Sequence, residues 1–187
     1  LKGRLSGDFT MNTSWDAGAW DSQTLALQGN FSWHDGALNR VEAFDEMADY
    51  LRANRLMAPL VDPTDLAQRL QHIEFSHVQS PLWITQGIVH VPPIEIASSA
   101  MEISIEGIQH FHGEIDYTLG FALRDLRNTR SDDIGEIAED GLGNRLFLNM
   151  SGPLESPVYS YDRNAHREHR REKIQAEKER LKSLFRR

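Results

Sequence analysis

The residues best placed by type and spacing to do chemistry are His110, His112 and Glu114, in the run His110-Phe111-His112-Gly113-Glu114. Side chains two apart on a strand point the same way, so two imidazoles and a carboxylate on one face make an iron or zinc ligand set, the core of a metal-dependent β-fold enzyme. The competing reading is a wet strand face, because Glu106, Asp116 and Thr118 share that parity while the opposite parity is apolar. The pattern favours the wet face, and no metal is expected. His72 with His77, and His166 with His169, have weaker spacing still. Gly-x-Ser-x-Gly, a glycine-rich phosphate loop with lysine and Gly-x-Gly-x-x-Gly are all absent, and Gly141-Leu142-Gly143 lacks the third glycine. With no cysteine, thiol nucleophiles, disulfides and cysteine zinc sites are excluded. No catalytic residue and no cofactor are predicted. The carboxylates from Asp132 to Asp140 lack the alternating spacing that wraps calcium and read as a solvated loop. Trp15 and Trp20, in a Gly/Asp-rich stretch, are the exposed aromatic pair; Trp33 and Trp83 sit in strand patterns and read as packed.

The elements that carry these residues follow from periodicity. A chain of 187 residues fits one domain, and its net charge of −8 argues against a nucleic-acid binder that works by phosphate neutralisation. Residues 163–187 hold 10 basic and 4 acidic residues, net +6, leaving −14 on the body before them. The division is therefore a body over 1–162 and a basic helical tail over 163–187, with Asp162 placed to cap the helix. Leu25, Leu27, Phe31 and Trp33 share one parity, a half-buried strand, and Asp35-Gly36 reads as a tight turn after it. Val41, Phe44, Met47, Ala48 and Leu51 recur at helical spacing, and Pro63 opens a second helix with Leu66, Ala67 and Leu70, so a helical insertion occupies about 41–72.

Strand signals resume at Phe75. The uncharged run Phe75 to Ile94 is broken by Pro81, Pro92 and Pro93 and alternates, which makes it sheet and not a membrane span. Gln86-Gly87 marks a turn, and Pro92-Pro93 an edge or bulge. One-sided stripes follow at Ile94 and Ile96, at Met101 to Ile105, at Ile115 to Leu123 and at Leu146 to Met150, with Val158 to Tyr161 as a short piece that closes the sheet. The fold class is mainly β with an α insertion (α+β): a curved antiparallel sheet forming a β-groove, two short helices and a charged C-terminal helix. Leu1, Leu5, Phe9 and Met11 already alternate at the start, which predicts a piece of a longer chain.

The order of these features resembles the C-terminal region of AsmA-like proteins, an envelope family that includes TamB relatives and is similar to bridge-type lipid-transfer proteins. The matching stretches are Gly7 to Trp15, Leu27 to Leu51, the run from Phe75 to Leu126, Glu139 to Gly143, and Tyr161-Asp162-Arg163 before a Lys/Arg/Glu-rich helix. His110-Phe111-His112-Gly113 departs from the small polar turn usual there. The resemblance implies a non-enzymatic periplasmic module, tethered to the inner membrane by an anchor absent from this fragment. It also implies a role in outer-membrane assembly or lipid balance in a Gram-negative envelope, with phospholipid or another acyl lipid and other envelope proteins as partners and no nucleic acid. The stripes supply the physical counterpart, since an apolar sheet face either roofs itself or holds hydrocarbon. Leu25, Leu27, Phe31, Ile103, Ile105, Tyr117, Leu119 and Phe121 are the predicted lipid-binding lining. The alternatives are a conventional core under the helices, and a structural β-domain that docks a partner through edge strands or the basic tail.

Overall fold

The computed structural model describes residues 2–16, 19–39, 42–54, 63–122 and 145–184. In chain order, β1 (Lys2–Asn12) precedes the two-residue strands β2 (Trp15–Asp16) and β3 (Ala19–Trp20), a 3₁₀ turn at Ser22–Thr24, and β4 (Ala26–Asn39). Helices α1 (Glu42–Ala53) and α2 (Pro63–Leu70) come next. The strands β5 (His72–Thr85), β6 (Ile88–Ala97), β7 (Glu102–His110), β8 (Glu114–Ala122), β9 (Arg145–Pro153) and β10 (Val158–Tyr161) follow, and α3 (Arg163–Leu184) ends the described chain. Eight strands form one antiparallel sheet in the order β1-β4-β5-β6-β7-β8-β9-β10, while β2 and β3 pair only with each other. The protein is thus mainly antiparallel β with a few short helices. Val158 to Tyr161, expected to close the sheet, instead pairs with β9 and is one outer strand of the sheet among the described residues; β1 is the other.

Residues directly opposite in an antiparallel ladder point to the same side, so the register sorts the sheet into two faces. One face carries Phe121, Ile103 and Ile96 in a row, then Leu148, Leu119, Ile105 and Ile94, then Tyr159, Met150, Tyr117, Gly107 and Val91. The helices roof this part. Met47 and Leu51 of α1 and Leu66 and Leu70 of α2 join Ile103, Ile115, Tyr117, Leu119, Phe121, Leu146, Leu148 and Tyr159 in one buried cluster. The 3.6-residue period and the two-residue period meet there, each bringing its apolar side to the same interface. The other face is mixed over the same strands, with Ile108, Ala122 and the buried Phe147 among polar residues such as Glu95, Asp116 and Asn149. Its longest link is Arg145, whose Nη1 and Nη2 donate to Glu95 Oε1 and Oε2 at 2.8 and 2.9 Å across two intervening strands. Helix α3 starts on that side: Asp162 Oδ1 accepts from Asn164 and Ala165 N–H at 2.9 Å, and His169 lies 5.3 Å from the Phe147 ring.

The sheet is split along one seam. β5 pairs with β6 only at Trp83↔His90, Ile84↔Val89 and Thr85↔Ile88, next to the Gln86-Gly87 turn. Beyond the turn the strands separate, and Pro81, Pro92 and Pro93, which have no N–H to give a ladder, lie beside the gap. The register of β6 on β7 shifts between Val91 and Ile94, as expected of that proline pair. At the far end Ser99 N–H donates to the Glu74 carbonyl at 2.8 Å and Glu74 N–H to Ser99 Oγ at 2.9 Å. On the apolar side Phe75, Val78 and Ile94 pack across the seam.

Two local readings need correction. Asp35-Gly36 is not a hairpin turn: β4 runs through it to Asn39, with Asp35 at φ 52° and the Phe75 ring lying where a Gly36 Cβ would project. Trp83, expected to be packed, is 37% exposed on the polar face and stacks on His90 at 5.7 Å. The acidic stretch Asp132 to Asp140 lies outside the described residues.

Candidate functional site: the uncovered half of the apolar face

The apolar face does not stop where the helices do. Continuing the register toward β1 gives the rows Met11, Leu27, Ile84 and Val89; Phe9, Gly29 and Leu82; Gly7, Phe31 and Ser80; and Leu5, Trp33 and Val78. No charged side chain interrupts these rows. Ser80, their one hydroxyl, is buried and donates to the Pro81 carbonyl at 2.8 Å. Exposure rises toward the edge: Val78 is buried, Leu27, Phe31, Leu82 and Ile84 are half-buried, and Leu5, Phe9 and Met11 are 66, 46 and 61% exposed.

Glycines shape this surface. A Cβ on Gly29 would stand 2.5 Å from Phe9 Cδ1, and one on Gly7 2.8 Å from Phe9 Cε2, so the missing side chains leave a notch in which the Phe9 ring rests. Gly3, at φ 131°, holds the Trp33 indole in the same way, with Nε1 at 2.1 Å from where its Cβ would be. Trp33 meets Phe75 edge-on at 4.6 Å and is continuous with the seam cluster. The result is an apolar surface with aromatic rings laid along it.

The predicted lining divides between the two halves. Ile103, Tyr117, Leu119 and Phe121 lie in the roofed cluster, at 8, 7, 4 and 1% exposure, and Ile105 is half-buried against it. Leu27 and Phe31 lie in the open half, and Leu25 is buried just before β4 begins. Leu5, Phe9 and Met11, the most accessible members of the open half, are absent from that lining. Their alternation with Gly3 and Gly7 is the signal that marks them.

Titratable groups offer little beside this. His110 and His112 have ring centroids 4.9 Å apart and His112 Nε2 stands 3.6 Å from Glu114 Oε2, but His112 belongs to the β7–β8 turn. Among the described residues no group of three or more His, Asp or Glu is placed to hold a metal ion. His34 and His77 stack at 4.4 Å and 7° on the polar face, with Arg4 opposite His34. His72 bonds Asn39 and lies 3.0 Å from Glu74 Oε1. A depression of about 480 Å³ at the Ser98-Ser99 end of the seam is lined by Asp35, Glu74, Phe75 and Ser76 among others. Among the described residues the perturbed groups are Tyr117, pushed up by burial, and Tyr159, pushed up by burial and then by the Glu46 carboxylate. Both belong to the roofed core, where they pack and do not face a cleft. No described helix is long and apolar enough to cross a membrane. Set beside protein-family models, curated proteins and solved structures, the chain matches none of them.

Proposed function

We propose that the protein is a non-enzymatic lipid-handling module that holds acyl chains against the uncovered half of its apolar sheet face. On this reading it is kin to AsmA-like envelope proteins and works in the periplasm, as part of a chain tethered to the inner membrane, in lipid transport or outer-membrane assembly. One observation carries the reading: a single apolar face runs from the roofed core out to Leu5, Phe9 and Met11, with no charge in its path and no element over its outer rows among the described residues. Covering a side chain of that size with hydrocarbon is worth about 1.5 to 3 kcal/mol, so three such residues with their half-buried neighbours make a site of useful affinity for a long acyl chain. The roofed lining at Tyr117, Leu119 and Phe121 then belongs to the core beside the site, and the groove is confined to β1, β4 and β5.

Native mass spectrometry of the folded protein, purified without detergent, tests this. Bound phospholipid is expected, and a photoreactive amino acid at Phe9 or Met11 should crosslink to an acyl chain while one at Trp83, on the opposite face, should not. Absence of lipid together with absence of labelling at Phe9 and Met11 would remove the proposal.

A further inference from the structure

The two edges of the sheet are unlike. β10 has four residues and leads directly into α3, whereas β1 has eleven, exposed along its whole length, with no strand beside its outer edge among the described residues. A long edge presents a row of unpaired N–H and C=O groups, and natural sheets blunt such edges with proline, charged side chains, bulges or a covering element. β1 contains no proline, and its charges, Lys2, Arg4 and Asp8, alternate with Gly3, Leu5, Gly7 and Phe9. One face of the edge is therefore uncharged.

We infer that the outer edge of β1 pairs with the β1 of a second copy of this chain, antiparallel about a two-fold axis at Ser6. The strand is complementary to itself in that register. With Ser6 opposite Ser6, Arg4 of each copy faces Asp8 of the other, so two opposite-charge pairs form on the polar face. On the apolar face Leu5 stands opposite Gly7, and Phe9 opposite Gly3, where the Trp33 indole already lies. Directly opposed residues in antiparallel strands have Cβ atoms about 4.5 to 5.5 Å apart, within reach of both kinds of pair. Sliding the axis one residue to Gly7 sets Arg4 against Thr10 and Asp8 against Ser6 and loses both charge pairs. The interface is isologous, so it closes as a dimer and does not grow into a filament. The sheet becomes continuous through both copies, with the open apolar halves side by side. This pairing does not depend on lipid being held.

Sedimentation velocity of the 187-residue chain over a wide concentration range tests it, with circular dichroism and thermal unfolding as checks on folding. A reversible monomer–dimer equilibrium is expected. Asp8→Arg places like charges opposite each other twice, and should weaken the dimer about tenfold or more. Combining it with Arg4→Asp restores the opposite pairs and should bring the dissociation constant back to within about threefold of the original. Ser6→Pro should abolish dimers; if it unfolds the chain, the two charge variants decide alone, since their side chains are exposed. A wild-type protein that stays monomeric, or one whose dimer ignores Asp8→Arg, overturns the inference, and so does failure of the charge swap to restore a dimer that Asp8→Arg has broken.

Discussion

Gly107 and Gly113 both hold positive φ, at 144° and 95°, yet they sit in opposite surroundings. A Cβ on Gly107 would stand 2.1 Å from the Asp116 carbonyl oxygen and 2.9 Å from Tyr117 Cδ1, whereas one on Gly113 would meet nothing within 4 Å. Replacing each by alanine separates steric from conformational cost. Gly113→Ala should lose about 1 to 2 kcal/mol from backbone strain alone. Gly107→Ala should lose roughly 1 to 3 kcal/mol more, because a strand backbone and a buried tyrosine must both move. Urea unfolding of the two variants measures the difference, and equal losses would show that the sheet yields freely at Gly107. The same tyrosine supplies a pH signature. Tyr117 donates to Gln109 Oε1 at 3.1 Å, and burial holds it, like Tyr159, protonated above the usual tyrosine range. The unfolded chain releases these protons first. Stability is therefore whole below a pH of about 10 and falls as pH rises from there toward the folded values, by up to about 1.4 kcal/mol per pH unit per tyrosine. Tyr159→Phe should flatten that alkaline loss, read as unfolding free energy against pH, and an unchanged slope would place the linkage elsewhere.

At the scale of elements, two turn signals of the same kind had different outcomes. Gln86-Gly87, with φ of 52° and 72°, links β5 to β6 as a hairpin. Asp35-Gly36 lies inside β4, because the residues after it pair forward with β5 at Gly36↔Phe75 and Leu38↔Ile73 and do not fold back on β4. Local chemistry encodes the left-handed residue; only the tertiary partner decides whether the strand reverses. Period was more informative than punctuation. The shift from two to three-and-four placed both inserted helices, and the single parity of Ile115, Tyr117 and Leu119 marked a buried stripe, since both signals come from burying one side of a regular backbone. What parity does not carry is which part of the buried side another element covers. Here α1 and α2 cover β7 to β10, with Met47 and Leu66 wholly buried between helix and sheet. Leu66→Ala should cost about 2 to 5 kcal/mol, and its cavity lies against the same face that opens at β4 and β1. Hydrophobic dye binding should rise in that variant well below its unfolding midpoint; dye binding that appears only with global unfolding would mean that the roof and the sheet melt as one.

For the whole molecule, the roofed and open halves make different claims on stability although they share a face. Phe121 and Leu148 have lost essentially all contact with water, so their apolar area stabilises the fold whether or not anything is bound. Leu5, Phe9 and Met11 keep about half or more of theirs, so most of what they contribute is withheld until something covers them. The rows at the β1 edge were visible in the sequence as alternation, but the two halves read alike there, because a stripe of Leu and Phe looks the same beneath a helix and beneath solvent. Substitution tells them apart. Leu5→Ser, Phe9→Ser and Met11→Ser combined should shift stability little, roughly within 0.5 kcal/mol for each exposed site, while Phe121→Ser should remove several kcal/mol by leaving a hydroxyl and a cavity in the core. The triple variant should also lose the protection that a bound lysophospholipid gives the parent protein, since a ligand that binds the folded state raises the melting temperature in proportion to RT ln(1 + [L]/Kd). Melting curves of both proteins with and without submicellar lysophospholipid decide the matter. If the lipid protects the triple variant as well as the parent, the hydrocarbon is held elsewhere; if it protects the parent alone, the uncovered rows are the acyl site.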